Sequence, residues 1–503
     1  MSEKVLLAVN GTLMRGLELH KNLKEVKATF VKETETEKGY RLYSINDQYP
    51  AMIKDEEGES IAVELYELTE EAMAKVLEKE PEGLSIEPIK LIDEQEVFGV
   101  VGSPEIIEGQ KEITSYKGWR KYIDFLHPVR KFKPLIVRGS IFLGLILLLV
   151  VLSILKTNSD IAEGMSRTVS RYFVSFMGAI SSILPFVSLT ELLFIALFGG
   201  IVAYIVFFII HLVKKRPIKA FTKILNIGIM VISLIDAYHL SCESAYNRKP
   251  IPLPYYQYQV EREDYIRIYN YFAEDINLCA SQLEFKASGD VKTKMSIWDI
   301  AKEVKKAYSI LDDPYYSPNL GAVKPMMSSF IYREFQITGV TFSPLGEANI
   351  DVLIPTGDLP FTVAHELAHT IGVMREDQAN QLAFYVCLNS EHPFLRFSAY
   401  SRYFYLMRSM ASTSYLTDEE REQLIDVDKS LRKLESFEYM YWKEHDLLAK
   451  IGDFFNNLYI KSSGVSEGTA SYSGGTEYTY DPTTHRITQS NYHNLFFEKY
   501  YRE

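Results

Sequence analysis

At 503 residues the chain is too long for one compact core, which points to two to four folding units. A net charge of −12 with no long basic run argues against nucleic-acid binding. Three scattered cysteines, Cys242, Cys279 and Cys387, are too few for a disulfide framework or a cysteine-rich zinc module and read as free thiols, buried or at a membrane edge.

The N-terminal stretch "MSEKVLLAVNGTLMRG" has an interrupted apolar run rather than the continuous one of a signal peptide. It reads as a strand and turn of a folded domain that begins in the cytosol. "KVLLAVN", "TFVKE", "YRLYSI" and "AVELYEL" are short, partly alternating strand candidates. "TEEAMAKVLEKEP" follows with a helical period, Thr69 as N-cap and a proline stop. Residues 1–126 are therefore expected to form a small α+β unit with a curved or barrel-like sheet.

The composition then changes. Uncharged apolar runs extend from Gly139 to Leu155 and from Leu192 to Ile210, each long enough for a hydrocarbon core. A third run, Ile224 to Cys242, carries Asp236 and His239 in its last third, which is affordable near an interface. The expected spans are about 134–156, 189–213 and 221–242. Between the first two, "YFVSFMGAISSILPFVS" reads as a segment lying on the membrane or packed against the others. Arg130, Lys131 and Lys133 precede the first span, and Lys214, Lys215, Arg216 and Lys219 separate the second from the third. The positive-inside rule assigns both groups to the cytoplasmic side, so three spans carry residues 243–503 outside, whereas two would leave them in the cytosol.

The remaining chain reads as mainly helical. "DYIRIYNYFAEDINLCASQLE", "IWDIAKEVKKAYSIL" and "TDEEREQLIDVDKSLRKLE" have helical spacing, and only "ITGVTFSP" and "ANIDVLIP" look like strands. The Gly-, Ser- and Thr-rich tail "SSGVSEGTASYSGGTEYTYDPTTHR" is expected to be a loop or mobile. No repeat of fixed period occurs.

Chemistry concentrates in "HELAHTIGVMREDQAN", His365 to Asn380. Residues four apart share a helix face, so His365 and His369 can point two imidazoles at one ion. Glu366 lies beside the first ligand, where its carboxylate can take a proton from a water at that ion. Catalytic zinc sites use three protein ligands. Gly372 can end or turn the helix, letting Glu376 fold back as the third, with Asp377 as its rival. Asn380, one turn beyond Glu376, is a candidate to orient a ligand from behind. "IPTGDLPFTVA" before the motif reads as an extended strand and turn entering a helix. "GEANIDVLIP" is either an exposed edge strand that accepts a substrate strand or a purely structural one. Arg396, Tyr400, Tyr403 and Tyr405 in "RFSAYSRYFYLM" fit core packing, with one tyrosine able to stabilise an oxyanion.

The stretch "FSPLGEANIDVLIPTGDLPFTVAHELAHTIGVMREDQANQLAFYVCL", with "SAYNRKPI" upstream, resembles an uncharacterised family of bacterial membrane proteins. Members join N-terminal spans to a zinc-peptidase-like domain bearing HELAH, and the resemblance covers roughly 135 to 470. It implies metal binding by His365, His369 and Glu376, a catalytic Glu366, and the third span, but brings no substrate. The stretches "LLAVNGTLMRGLELHKNL", "YRLYSINDQYPAM" and "GQKEITSYKGWRKYI" resemble gamma-glutamylcyclotransferase-like domains related to the allophanate hydrolase C-terminal domain. That resemblance implies a pocket for a small amide or carboxylate lined by Asn10, Gly11, Thr12 and Leu13, where backbone amides approach a ligand closely. Glu80 and Glu82 are the nearest candidates for the carboxylate that cyclotransferases use, and solvated surface glutamates are the plainer alternative.

These readings predict a multidomain chain: an α+β cyclotransferase-like small barrel (1–126), a membrane region of three transmembrane helices (134–242), and a mainly α zinc-peptidase-like domain with a small sheet (243–503). The predicted activity is peptide hydrolysis with Zn2+ as cofactor, in a multi-pass protein of the bacterial cytoplasmic membrane. Its N-terminus is expected in the cytosol and its C-terminal domain outside. Expected partners are a peptide or protein substrate, membrane lipid and a small ligand of the N-terminal domain, with no nucleic acid. The rivals are a membrane sensor or scaffold with a structural metal, and an N-terminal enzyme acting on a gamma-glutamyl or carbamoyl compound.

Overall fold

The computed structural model describes residues 4–254, 260–412, 415–446, 448–481, 483–484 and 486–502, without the side chains of 128–131 and 486. Of the residues in the stretches quoted above, 1–3, Pro482 and His485 lie outside this description, as do the side chains of Arg130 and Lys131. The chain divides into two compact units, Met1–Val137 and Arg138–Glu503.

In the first unit, β1 (Lys4–Val9) pairs antiparallel with β5 (Ala62–Thr69) and parallel with β7 (Glu96–Gly102). With β2 (Thr29–Glu35) and β6 (Leu84–Lys90) at the edges they form one sheet of order β2-β5-β1-β7-β6. A second sheet, β4-β3-β8, is built from β3 (Tyr40–Ile45), β4 (Tyr49–Lys54) and β8 (Lys111–Glu112). The expected barrel thus resolves into two hydrogen-bonded sheets sharing a core of Ala8, Leu42, Met52, Val63, Leu65 and Trp119. Three short helices, α1 (His20–Glu25), α2 (Glu70–Leu77) and α3 (Trp119–Leu126), complete the unit. Thr69 caps α2 as expected, its hydroxyl accepting from Ala72 N at 3.2 Å.

Three helices are long and apolar enough to cross a membrane among the described residues. They are the segment Phe132–Leu155 of α4 (Pro128–Leu155), α7 (Leu189–Val213) and α8 (Pro217–Ser241). Between α4 and α7 lie α5 (Ser159–Met165) and α6 (Arg171–Ser181). The α6 segment packs on the C-terminal part of its unit, Ser181 Oγ donating to Glu347 at 2.5 Å.

The rest of the second unit is mostly helical: α9 (Arg262–Ser281), α10 (Ile297–Ala307), α11 (Ser329–Tyr332), α12 (Leu359–Thr370), α13 (Glu376–Leu388), α14 (Pro393–Ser412), α15 (Asp418–Arg421), α16 (Lys429–Glu444), α17 (Ala449–Ser462) and α18 (Asn491–Arg502). The stretch from Thr417 to Glu435 is two helices rather than one, because Asp428 starts a new N-cap by accepting from Ser430 N at 2.7 Å. A small sheet, β11-β13-β12, comprises β11 (Ala322–Pro325), β12 (Gly339–Phe342) and β13 (Glu347–Ile350). Two short hairpins, β9 (Glu284–Phe285) with β10 (Val291–Lys292) and β14 (Thr479–Asp481) with β15 (Arg486–Thr488), add strands beyond the two expected.

Three further expectations are corrected. The "GEANIDVLIP" segment is not an exposed edge: β13 is central and fully buried, and the edge strands are β11 and β12. Glu347 and Asn349 make it look solvated, yet both are paired inside, Glu347 accepting from Thr190 N (2.8 Å) and Asn349 accepting from Ser188 Oγ (2.7 Å). The chain before α12 makes the expected turn, a 3-10 turn at Thr356–Asp358, but without the expected strand ahead of it. The Gly- and Ser-rich tail is structured, with a 3-10 turn at Gly468–Ser473 followed by the β14–β15 hairpin.

The core of this part threads through α12. Val363, Ala364, Leu367 and Ala368 are completely buried, each large side chain contributing on the order of 2 kcal/mol on burial. That burial fixes the face of α12 opposite them, which carries the polar residues described next.

Candidate metal centre

α12 ends in a Schellman turn. Val373 N donates to Ala368 O and Gly372 N to His369 O, both at 3.2 Å, and Gly372 occupies the left-handed position at φ +93°. The turn reverses the chain so that Glu376 becomes the first residue of α13, with the positive end of that helix's dipole behind its carboxylate.

The reversal brings three ligand atoms together: those of His365, His369 and Glu376 lie within 4.8 Å of one another. His365 Nε2 is 3.1 Å from His369 Nε2 and 3.1 Å from Glu376 Oε2, and His369 Nε2 is 3.5 Å from that oxygen. A tetrahedral ion with bonds of about 2.0–2.1 Å spaces its ligand atoms by about 3.4 Å. The donor set therefore fits zinc in kind and in spacing. His369 Nδ1 lies 2.7 Å from the carbonyl of Val373, which fixes the tautomer with the Nε2 lone pair facing the cluster. His365 Nδ1 and Glu376 Oε2 are buried without a hydrogen-bond partner.

Without an ion between them, the histidines and Glu376 stabilise one another's charges. Burial alone would pull the His369 imidazole down, but the facing Glu376 carboxylate raises it to about 9. Burial would raise Glu376, but His369 and His365 outweigh it and hold the carboxyl far below the ordinary range. Burial pushes Glu366 up, against the opposing pull of the two histidines and the Thr341 hydroxyl.

Glu366 lies against β12. The Thr341 hydroxyl is 2.7 Å from Glu366 Oε2, and a Cβ at Gly339 would sit 2.6 Å from Oε1. Only a glycine backbone leaves room for the carboxylate there. A cleft of about 1150 Å³ opens in front, lined among others by Gly339, Val340, His365, Glu366, Tyr403 and Tyr472.

Asp377 is not part of the cluster; its carboxylate pairs with Arg375 at 3.2 Å. Asn380 reaches the cleft but orients no ligand directly, its Nδ2 donating to the carbonyl of Tyr472 at 3.0 Å. Arg396 and Tyr400 are tied to Asp275, at 2.9 and 2.5 Å, and Tyr405 is exposed. Tyr403 borders the cleft with its ring stacked on Tyr492. Tyr472 escaped the sequence reading. Its phenol accepts from Asn456 Nδ2 at 3.3 Å, at the cleft wall. It sits in the Gly- and Ser-rich tail, where composition gives no sign of it.

In the first unit, Asn10, Gly11, Thr12, Leu13 and Glu80 line one small cavity with Tyr49 and Val100. Its volume is about 10 Å³, room for about one water. Glu80 Oε1 is buried there without a partner, and burial raises its carboxyl to about 7. Glu82 is exposed and outside the cavity.

Residues 165–480 match the family described as protein of unknown function (DUF3810), and residues 5–124 match the allophanate hydrolase C-terminal domain. No curated protein matches the chain. Among solved structures, a uropathogenic E. coli-specific protein, c4763, is similar at 48% identity, over 24% of this chain and 96% of that one, with a TM-score of 0.24. The K. lactis urea amidolyase and allophanate hydrolase are similar at 25% identity over 24% and 25% of this chain, each with a TM-score of 0.24. The chain spans 8% and 22% of their lengths.

Proposed function

The chain belongs to the family described as protein of unknown function (DUF3810), and from the convergence of His365, His369 and Glu376 we propose that it is a membrane-bound zinc peptidase. In this reading the three apolar helices span the membrane and carry the cleft to the outer side, while the allophanate hydrolase-like region stays in the cytosol. The single observation that carries the activity is the mutual approach of three buried ligand atoms beside a fourth, non-ligating carboxylate, Glu366.

Zinc, when bound by His365, His369 and Glu376, supplies a Lewis acid that acidifies water and polarises a carbonyl. Glu366 takes the proton of the attacking water at its carboxylate and returns it to the departing amide nitrogen. Thr341 holds that carboxylate toward the cleft through its 2.7 Å contact. The Tyr472 phenol faces the same space and donates to the oxygen of the tetrahedral species. β12, the edge strand bordering the cleft, offers backbone groups to an extended peptide.

Metal analysis of the purified full-length chain tests this reading. Stoichiometric zinc in the wild type, lost in His365→Ala and kept in Glu366→Gln while peptide hydrolysis disappears, supports it. A wild type without stoichiometric zinc overturns it.

A second reading concerns the N-terminal region and rests on the orphaned Glu80 carboxyl. That region binds a small amide after local opening of its one-water cavity. Calorimetric titration of the full chain with simple amides and carbamates, against Glu80→Gln, decides it; no heat from either protein removes the reading.

A further inference from the structure

α17 has an apolar face with no partner among the described residues. Ile451, Phe454, Phe455 and Leu458 recur at i, i+3, i+4 and i+7 and are 49, 62, 63 and 59% exposed, while Ile460 on the opposite face is fully buried. Lys450 and Lys461 flank the stripe. The chain around α11 exposes Met327, Phe330 and Ile331 in the same way. The two patches are continuous, because α17 rests on the 3-10 turn Arg333–Phe335 that extends α11. Leu448 N donates to Glu334 O at 3.1 Å, and a Cβ at Gly452 would lie 2.7 Å from Phe335 O.

Both patches are fastened to the ends of apolar helices. Glu191, in the first turn of α7, accepts from Met327 N at 2.6 Å and Ser328 N at 2.9 Å. Tyr459 of α17 hydrogen-bonds Tyr238 in the last turn of α8. Just before α7, Ile183 and Phe186 are exposed, and Phe186 packs edge-on to Trp298 at 5.2 Å. Trp298 Nε1 also donates to Pro185 O at 3.3 Å, the half-apolar, half-polar setting of a tryptophan at a bilayer interface. The cleft shares this rim: Ile331, Phe335, Val340, Phe455 and Tyr459 line it.

We propose that α11, α17 and the 183–187 loop enter the phospholipid surface at the level where α7 begins and α8 ends, so that the cleft opens at the bilayer and takes a membrane-tethered polypeptide. The occupant of the stripe is the lipid leaflet. The apolar surface of α7 and α8 continues into the stripe through Glu191 and Tyr238, and Lys450 and Lys461 suit the phosphate layer. The substrate clause rests on the peptidase reading; the lipid contact does not.

The test uses the full chain in phosphatidylglycerol–phosphatidylcholine vesicles, with single spin labels at Phe454→Cys and Phe330→Cys. Leu147→Cys in the first apolar helix is the lipid reference and Asp418→Cys the aqueous one; native Cys242, Cys279 and Cys387 are buried. Oxygen collision exceeding that of a nickel chelate at 454 and 330, as at 147, supports lipid contact. Water-like accessibility as at 418 overturns it. So does a label shielded from both reagents, which marks a second copy or another protein on the stripe. In the same vesicles, a peptide carrying a lipid tail is cleaved at least tenfold faster than the tailless peptide. Phe454→Ser with Phe330→Ser removes that advantage and leaves the tailless rate unchanged. Equal rates for both peptides overturn the substrate clause. No cleavage of either overturns the peptidase reading beneath it, while the label readings still decide the lipid contact.

Discussion

Arg248 Nη1 donates to the carbonyl of Gly372 at 3.0 Å, which fastens the turn between α12 and α13 to the segment that follows the third apolar helix, α8. The same guanidinium forms a bidentate pair with Glu163 of α5, both contacts at 2.9 Å, and lies 3.6 Å over the Tyr315 ring. The geometry of Glu376 is thus set partly by a residue more than a hundred positions away in sequence, just after the last apolar helix.

Replacing Arg248 by alanine is expected to cost about 1.5–3 kcal/mol, because it removes one of the two guanidiniums that hydrogen-bond the half-buried Glu163 carboxylate and leaves only Arg167. Zinc affinity should fall about 10–100-fold as the turn loosens. The pair also predicts a pH dependence. Burial would raise Glu163, but Arg248 and Arg167 hold it at about 2, below its ordinary 4.5. A depressed carboxylate contributes stability above pH 4.5 and loses it as pH falls toward 2. Thermal unfolding of the full chain between pH 6 and 3, wild type against Arg248→Ala, reads this; parallel curves refute the clamp.

Glu376 and Asp377 stand side by side in sequence but part in space. Glu376→Gln should remove stoichiometric zinc, whereas Asp377→Asn should retain it, because Asp377 faces Arg375 and not the histidines. Metal content by mass spectrometry after dialysis separates the two; zinc lost equally from both variants contradicts the ligand set.

The approach of His365, His369 and Glu376 was legible because its geometry is local. A four-residue helical spacing, one glycine able to adopt φ +93° and an acidic residue four positions later suffice to place it. What surrounds it was not legible. β13 reads as half-solvated because Glu347 and Asn349 alternate with apolar residues, and only α7's N-terminus explains their burial. β4 and β6 contain Pro50 and Pro88, which count against strands, and β11 holds only four residues with a fully buried Lys324. Tyr472 reaches the cleft from a segment whose composition signals a loop. Long-range pairing, rather than local pattern, decides each of these.

Lys324 and Glu347 are both completely buried and 3.7 Å apart, with Glu347 also capping the start of α7 through Leu189 N, Thr190 N and Thr190 Oγ1. Glu347→Ala strands the Lys324 ammonium and uncaps the helix. A loss of about 3–5 kcal/mol is expected, seen as a lower unfolding midpoint in detergent. The double change Lys324→Met with Glu347→Leu should recover part of it. No difference between single and double variants would show that the pair does not couple the sheet to the helix.

Gly339→Ala tests whether β12 sets the position of Glu366, the general base of the proposed reaction. The added Cβ would stand 2.6 Å from Glu366 Oε1, closer than nonbonded atoms allow, and the three atoms nearest to it all belong to Glu366. Zinc content should be unchanged and kcat should fall at least 10²-fold, the loss typical of a misplaced catalytic group. Wild-type turnover with the alanine in place would mean that Glu366 is free to move and is not held by this strand.

Glu80 supplies a pH signature for the N-terminal unit. Burial raises its carboxyl from 4.5 to about 7, so the folded unit prefers the protonated form. With the folded value above the unfolded one, the stabilisation is full below about pH 4.5 and is lost as pH rises through 7. The group is only partly buried, so the difference between pH 5 and pH 8 should be on the order of 1–3 kcal/mol. Glu80→Gln, which cannot ionise, should abolish that part of the slope. Hydrogen exchange of the β1 and β7 amides in the full chain, at both pH values after correction for intrinsic rates, measures it. Equal slopes in wild type and variant would mean that Glu80 is solvated, and would remove the case for a ligand-binding cavity at Asn10 to Leu13.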